Sequence, residues 1–142
     1  MAINNCINIF IGSRGLIANS LKKEFINKKK NFFISKDQLD LTNTSKIKKN
    51  HFHKFNKFKI SLYVVSGIKK QYGDNKYNFK KNLDIIINLL EIISSLNIKK
   101  ITFFSSCEVY GYQKKMIHEN SLINTTTYYG ISKILSESLI MN

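Results

Sequence analysis

The chain contains no proline and, among its 23 basic residues, a single arginine, Arg14. With only 9 acidic residues the formal net charge is +14, an excess that ordinarily points to nucleic acid. Base and phosphate recognition, however, favours the two-pronged guanidinium. The lysines are spread along the chain among asparagine and isoleucine rather than gathered into a patch. A solvated lysine-rich exterior is therefore expected, and nucleic acid is not expected as a partner. The missing proline fits the same compositional pressure. Cysteine is scarce too: Cys6 and Cys107 stand far apart, which excludes a disulfide scaffold or a zinc cluster and points to a reducing compartment. The apolar run Ile85–Ile87 stops at Asn88, and no segment approaches the roughly 20 residues that span a bilayer. Met1–Cys6 lacks the basic start and apolar stretch of a signal peptide. The expectation is a cytoplasmic protein with no membrane partner, and at 142 residues a single domain with a sizeable core.

What is present is organised around Ile7–Ala18. Ile7–Ile11 reads as a short buried strand, Gly12 and Gly15 mark a tight turn, and Leu16, Ile17, Leu21 and Phe25 recur at helical spacing over roughly Leu16–Asn27. Such a turn aims the first helix amides, at Leu16 and Ile17, toward whatever lies above the helix start. The helix dipole adds about half a positive charge there, so a phosphate or pyrophosphate is the natural guest. The spacing is Gly-x-x-Gly-x-x-Ala, ending on Ala18.

After a solvated break at Lys28–Lys30, Asn31–Ser35 reads as a second strand and Leu39–Thr42 as a brief extended piece. Thr42 or Thr44 is placed to cap a short helix over Ser45–Asn50. His51–Lys59, basic and aromatic, is read as a helix end and loop whose Phe52, Phe55 and Phe58 pack on the core. That reading is preferred to a base-stacking stretch or a metal-binding histidine pair, and no metal is expected. Ile60–Val65 is a third strand and Ile68–Asn78 a polar loop. A long helix over roughly Phe79–Leu96 follows, with a stripe of Leu83, Ile86, Ile87, Leu90 and Ile93 widened by Ile85, Leu89 and Ile92. Ile98–Phe104 is a fourth strand, Tyr112–Thr127 a loop, and a last helix from about Tyr128 carries Ile131, Ile134, Leu135 and Leu139. This alternation predicts an α/β fold, a Rossmann-type doubly wound parallel sheet. Ligands in such sheets sit beyond the carboxyl ends of the strands, here Gly12, Ser35-Lys36, Ser66-Gly67 and Ser105-Ser106.

Tyr129 and Lys133 are four apart and share one helix face. An ammonium beside a phenol favours the phenolate and is expected to lower the tyrosine pKa toward the range useful for acid–base work. A serine hydroxyl opposite would hydrogen-bond a carbonyl or alcohol.

With the glycine turn, Ser-Ser-Cys-Glu-Val-Tyr-Gly at 105–111 and Thr-Tyr-Tyr-Gly-Ile-Ser-Lys at 127–133 in this order, the chain resembles the extended short-chain dehydrogenase/reductase family, specifically its NAD(P)-dependent nucleotide-sugar epimerases, dehydratases and reductases. The resemblance runs from Ile7 to about Leu139. It implies that Gly12, Gly15 and Ala18 bind the cofactor pyrophosphate, that Asp40 sits by the adenine, and that Asn82 matches an asparagine common at that helix start. It further implies Tyr129 as acid–base, Lys133 as the holder of ribose hydroxyls, and Ser106 as the catalytic serine. Hydride transfer at a sugar carbon is the implied chemistry, with a nucleotide sugar as substrate. Glu108 stands as a candidate base beside a keto group. Cys107 replaces the aspartate that dehydratases use, which leaves an epimerase, reductase or decarboxylase.

An NAD reader usually carries a carboxylate after the second strand. Ser35-Lys36 occupies that place here and Arg14 stands in the turn, whose sequence looks most like that of GDP-fucose synthases, so NADP is favoured with NAD as the alternative. Full-length relatives are about twice this size and carry a C-terminal substrate domain, which is expected to be absent, leaving the sheet incomplete on its C-terminal side. Their usual proline before the tyrosine motif is replaced by Thr125-Thr126-Thr127. The expected partner is a second copy, through the helices near Phe79–Leu96 and Tyr128–Met141, or a separate C-terminal half. The rival reading is a non-catalytic remnant or interaction module.

Overall fold

The computed structural model describes residues 5–25, 30–43, 45, 47, 49–114 and 116–142. The strands are β1 (Cys6–Ile11), β2 (Asn31–Ile34), β3 (Lys59–Val64) and β4 (Ile98–Phe103), and the α-helices α1 (Leu16–Phe25), α2 (Lys76–Ile93) and α3 (Tyr128–Met141). Short 3-10 segments lie at Lys49–Phe55, Lys70–Tyr72 and Cys107–Tyr110. The sheet is parallel throughout, in the order β2-β1-β3-β4, the α/β class expected from the alternation. Contacts divide the chain into two compact units, Met1–Ser66 with Asn88–Phe104, and Gly67–Ile87 with Ser105–Asn142.

The first unit holds the sheet. Strands buried on both faces read as continuous apolar runs, and β1 with β3 obeys this: Ile7, Ile9, Phe10, Ile11, Ile60, Leu62 and Val64 are all buried. Register explains which side chains meet. Phe10 lies opposite Phe33 on β2 and Tyr63 on β3, and its ring stacks on both at 4.4 and 4.6 Å between centroids. Phe25 of α1 packs on two of these rings, 5.3 Å from Phe10 and 6.3 Å from Tyr63. One residue along, Phe32 meets Phe55 edge-on at 4.7 Å, and Phe55 packs on Phe52. Phe52 and Phe55 are thus core residues, as expected, while Phe58 is half-buried.

Several boundaries differ from expectation. Helix α2 begins at Lys76 rather than Phe79, because Asn75 Oδ1 accepts a hydrogen bond from the Asn78 amide and caps the helix one turn earlier. Of the short helix expected over residues 45–50, Ser45 is in 3-10 conformation and Lys49 and Asn50 open the 3-10 segment Lys49–Phe55; Thr44, offered as its cap, lies outside the described residues. So do Ile26 and Asn27 at the expected end of α1, most of the break at Lys28–Lys30, and most of Met1–Cys6. Thr42 donates its amide and hydroxyl to Asp40 Oδ1, at 3.0 and 2.6 Å. No helix among the described residues is long and apolar enough to cross a membrane.

Candidate functional site

In the first unit the glycine turn is built by backbone geometry. Gly12 has φ +93°, and a Cβ there would stand 2.6 Å from the Ser66 backbone, so only glycine closes the turn against the end of β3. The Gly12 and Ser13 amides both donate to the Ile34 carbonyl, at 3.0 and 3.1 Å, which fixes the turn to the end of β2. Gly15 differs: a Cβ there would meet nothing within 4 Å. The open space lies at the N-terminus of α1, whose Leu16, Ile17 and Ala18 amides have no carbonyl of their own helix to bond. Leu16 and Ile17 expose their side chains, whereas Ala18 is buried. These features suit a phosphate-bearing group approaching the backbone closely. Ser66, at the same turn, has a buried hydroxyl with no hydrogen-bond partner.

The charged residues beside the turn are already paired. Arg14 forms an ion pair with Asp37, both largely exposed, and Lys36 lies 3.9 Å from Asp40. Asp40 therefore serves the 40–42 turn as well as standing at the place expected of an adenine contact. Asp37, not singled out from the sequence, supplies a carboxylate three residues after β2.

In the second unit, Ser106 opens the Cys107–Tyr110 turn, its hydroxyl accepting from the Glu108 amide at 3.2 Å. Thr127 caps α3 through the Gly130 amide at 3.0 Å. Gly130 is required by proximity, since a Cβ there would collide with Thr125 Oγ1 and the Glu108 carbonyl. The Tyr129 amide donates to Asp74 Oδ1 at 2.9 Å. One turn on, Lys133 is only 7% exposed, its Nζ 5.7 Å from the Tyr129 ring centroid. A Cβ on Gly67 would stand 3.5 Å from that Nζ and 3.8 Å from Asn82 Oδ1, so Gly67, Asn82 and Lys133 are neighbours. Asn82 clamps the loop backbone, accepting from the Ile68 amide at 2.7 Å and donating to its carbonyl at 3.1 Å.

Ser106, Tyr129 and Lys133 thus come together: Lys133 Nζ lies over the Tyr129 ring, and the Ser106 hydroxyl acts on the Tyr129 phenol, favouring its ionised form. The electrostatics differ from the sequence argument. Burial pushes the Tyr129 pKa up, the Ser106 hydroxyl pulls it down, and the nearby Glu108 and Cys107 push it up, for a net rise. A half-buried phenolate loses more hydration than one hydroxyl returns. Burial likewise lowers the Lys133 pKa, to about 8, against a raising influence from Glu137; Glu137 also accepts from the Ser105 hydroxyl. Glu108 is held by Lys70, with Nζ to Oε2 at 2.9 Å, and lies 3.5 Å from the Thr127 hydroxyl. Lys70, Asp74, Thr127 and Glu137 were not singled out from the sequence. Thr127 carried a signal, a threonine ahead of a helical stripe; the others sit in polar stretches without one.

Solved structures share this fold. A UDP-glucose 4-epimerase from Bifidobacterium longum, in complex with NAD+ and UDP, matches at 23% identity with a TM-score of 0.75, over 95% of this chain and 48% of its own. The RMD enzyme from Pseudomonas aeruginosa, complexed with NADPH, matches at 19% identity and TM-score 0.73, over 94% and 48%. The Bordetella bronchiseptica enzyme WbmG, in complex with NAD and UDP, matches at 16% and 0.72, again over 94% and 48%. The chain thus spans about half the length of these proteins. Among curated proteins, the uncharacterized UDP-glucose epimerase YtcB of Bacillus subtilis (strain 168) is 25% identical over 79 residues, 55% of this chain and 25% of that protein. The family model for NAD dependent epimerases and dehydratases matches residues 10–142, turn and tyrosine helix together, and the chain belongs to that family.

Proposed function

We propose that this chain is the NAD(P)-binding domain of a nucleotide-sugar epimerase or reductase, with hydride transfer at a sugar carbon served by Ser106, Tyr129 and Lys133. The observation that carries the reading is the buried Lys133 with its Nζ 5.7 Å from the Tyr129 ring centroid, on the helix face four residues from that tyrosine. Gly12, Gly15, Leu16 and Ile17 offer the pyrophosphate its cradle, and Ser66, Gly67 and Asn82 line the following strand end and loop. A bound nicotinamide supplies the site that accepts or gives up the hydride. Tyr129 takes the proton from the sugar hydroxyl as that carbon is oxidised and returns it on reduction. Ser106 orients the same oxygen, and Lys133 holds ribose hydroxyls and offsets charge on the phenolate. Glu108 is available as a base at a neighbouring carbon, the step an epimerase needs. The partner proposed for this domain is a nucleotide sugar.

We infer NADP in preference to NAD. The Arg14–Asp37 pair is exposed and so contributes little by itself, and a 2′-phosphate is a stronger, two-pronged partner for guanidinium than a solvated carboxylate. Lys36 adds a second cation beside it, and Asp40 remains the candidate adenine neighbour.

Titration with NADPH and NADH, followed by nicotinamide fluorescence, tests the reading. Enhancement with NADPH at lower concentration than with NADH is expected, and Arg14→Ser is expected to abolish the difference. A wild-type chain that binds neither overturns the reading. Self-association is proposed through α3, where Ile131, Leu135 and Leu139 remain more than a third exposed; a monodisperse monomer by light scattering overturns that part alone.

A further inference from the structure

The loop after β3 contributes a lysine that neither the sequence motifs nor the family reading assigns. Lys70 reaches the carboxylate of Glu108 at 2.9 Å across 38 residues of sequence. The same Glu108 oxygen lies 3.5 Å from the Thr127 hydroxyl, which caps the helix bearing Tyr129. On the loop's other limb Asp74 accepts from the Tyr129 amide. Two carboxylates therefore flank the tyrosine, one on the 3-10 turn and one on the loop, and Lys70 feels both: their charges raise its own pKa, led by the Glu108 hydrogen bond. Around the phenol stand Glu108 and Cys107 from the turn and Lys133 from α3, which Glu137 offsets. A phenol that must shed a proton near a carboxylate such as Glu108 is held back unless a cation compensates that charge.

We propose that Lys70 is a positioning residue for Tyr129: by pairing with Glu108 it fixes that carboxylate against the α3 cap and supplies the charge that keeps the phenol able to ionise. The proposal rests on the reading of Tyr129 as the proton carrier. It does not require Lys70 to touch substrate or cofactor.

The test is the titration of the full chain labelled with 13C at tyrosine Cζ, with Tyr129→Phe used to identify the resonance. Lys70→Met is expected to move the Tyr129 midpoint up by about 0.5 pH unit, and Lys70→Arg to leave it at the wild-type position. Glu108→Gln is expected to lower the midpoint and to remove most of the effect of Lys70→Met in the double variant. Unfolding stability should hardly change in Lys70→Met, because the ion pair is partly solvated. An unmoved midpoint in Lys70→Met overturns the proposal, as does a full shift that persists without Glu108. NADPH titration of the same samples separates this from the reading beneath it. A wild type that binds no dinucleotide overturns the function, whereas binding with an unmoved Tyr129 overturns Lys70 alone.

Discussion

Each unit is stabilised internally, and by different means. Nearly all the fully buried apolar side chains lie in residues 5–66 and 88–104, from Ile7 through Phe10, Phe52 and Leu62 to Ile93; among the described residues the second unit contributes only Ile85, Ile86 and Val109. The second unit buries polar groups instead: Asn82, Ser132, Lys133 and Ser136. Ser132 and Ser136 turn their hydroxyls back onto helix carbonyls at 2.7 Å, and Asn82 locks a loop. Apolar packing is non-directional and forgiving of detail, whereas a buried polar network must be satisfied atom by atom. The acid–base candidates sit in the unit where position is set by hydrogen bonds. The candidate phosphate cradle sits in the other, where backbone alone is needed.

The largest effects should fall in the aromatic core. Phe10→Ala removes the ring that Phe25, Phe33 and Tyr63 all touch, and is expected to cost about 3–5 kcal/mol in urea unfolding. Gly12→Ala should cost on the order of 3 kcal/mol, from the φ of +93° and the collision with Ser66. A loss under about 1 kcal/mol for Phe10→Ala breaks the claim that hydrocarbon holds this unit.

Next in size is a pH dependence belonging to the second unit. Lys133 titrates at about 8 in the folded chain against 10.5 ordinarily, so between those values the unfolded state binds more protons and stability rises with pH. The penalty for burying the charged amine is complete below pH 8 and is released toward 10.5, on the order of 3 kcal/mol. Above about pH 10 the raised Tyr129 pKa acts oppositely, because the folded state then keeps the proton longer. The urea midpoint should therefore climb from pH 7 to about 10 and then flatten or fall. Lys133→Met should remove the climb; if the slope survives that substitution, the buried lysine is not its source.

Smaller again is the cap of α3. Thr127→Ala frees the Gly130 amide and should cost about 1 kcal/mol. Its site effect should exceed its stability effect, since the same hydroxyl neighbours Glu108. Equal stability in wild type and variant removes the cap from the second unit's support.

The first unit was the more legible from sequence. Strands covered on both faces leave unbroken apolar runs, so Ile7–Ile11 and Ile60–Val65 announce themselves within a residue of β1 and β3. The glycine turn is a local pattern, and local patterns survive without a structure. The second unit depends on partners far apart in sequence: Lys70 with Glu108, Asp74 with Tyr129, Ser105 with Glu137. Helical spacing placed Tyr129 and Lys133 on one face correctly. It did not weigh the burial of the phenol against the attraction of the lysine, and so expected a lowered pKa where the structure raises it. The start of α2 was within reach, because Asn75 is a good cap, but the apolar stripe beginning later masked it.

The smallest stability change should accompany the sharpest functional one, at Gly15. This residue immediately precedes α1 and has space on all sides for a side chain. Aspartate is a better residue than glycine at a helix start by a few tenths of a kcal/mol, and its charge faces the favourable end of the helix dipole. Gly15→Asp should therefore fold at least as stably as wild type. The same carboxylate would fill the opening left for a phosphate and repel it, so nicotinamide fluorescence enhancement should vanish. Opposite signs for folding and binding are the mark of a glycine kept for the space above it. Gly12 is its counter-case, since there the fold itself requires the glycine. If Gly15→Asp binds NADPH as wild type does, the open space at α1 is not the phosphate cradle.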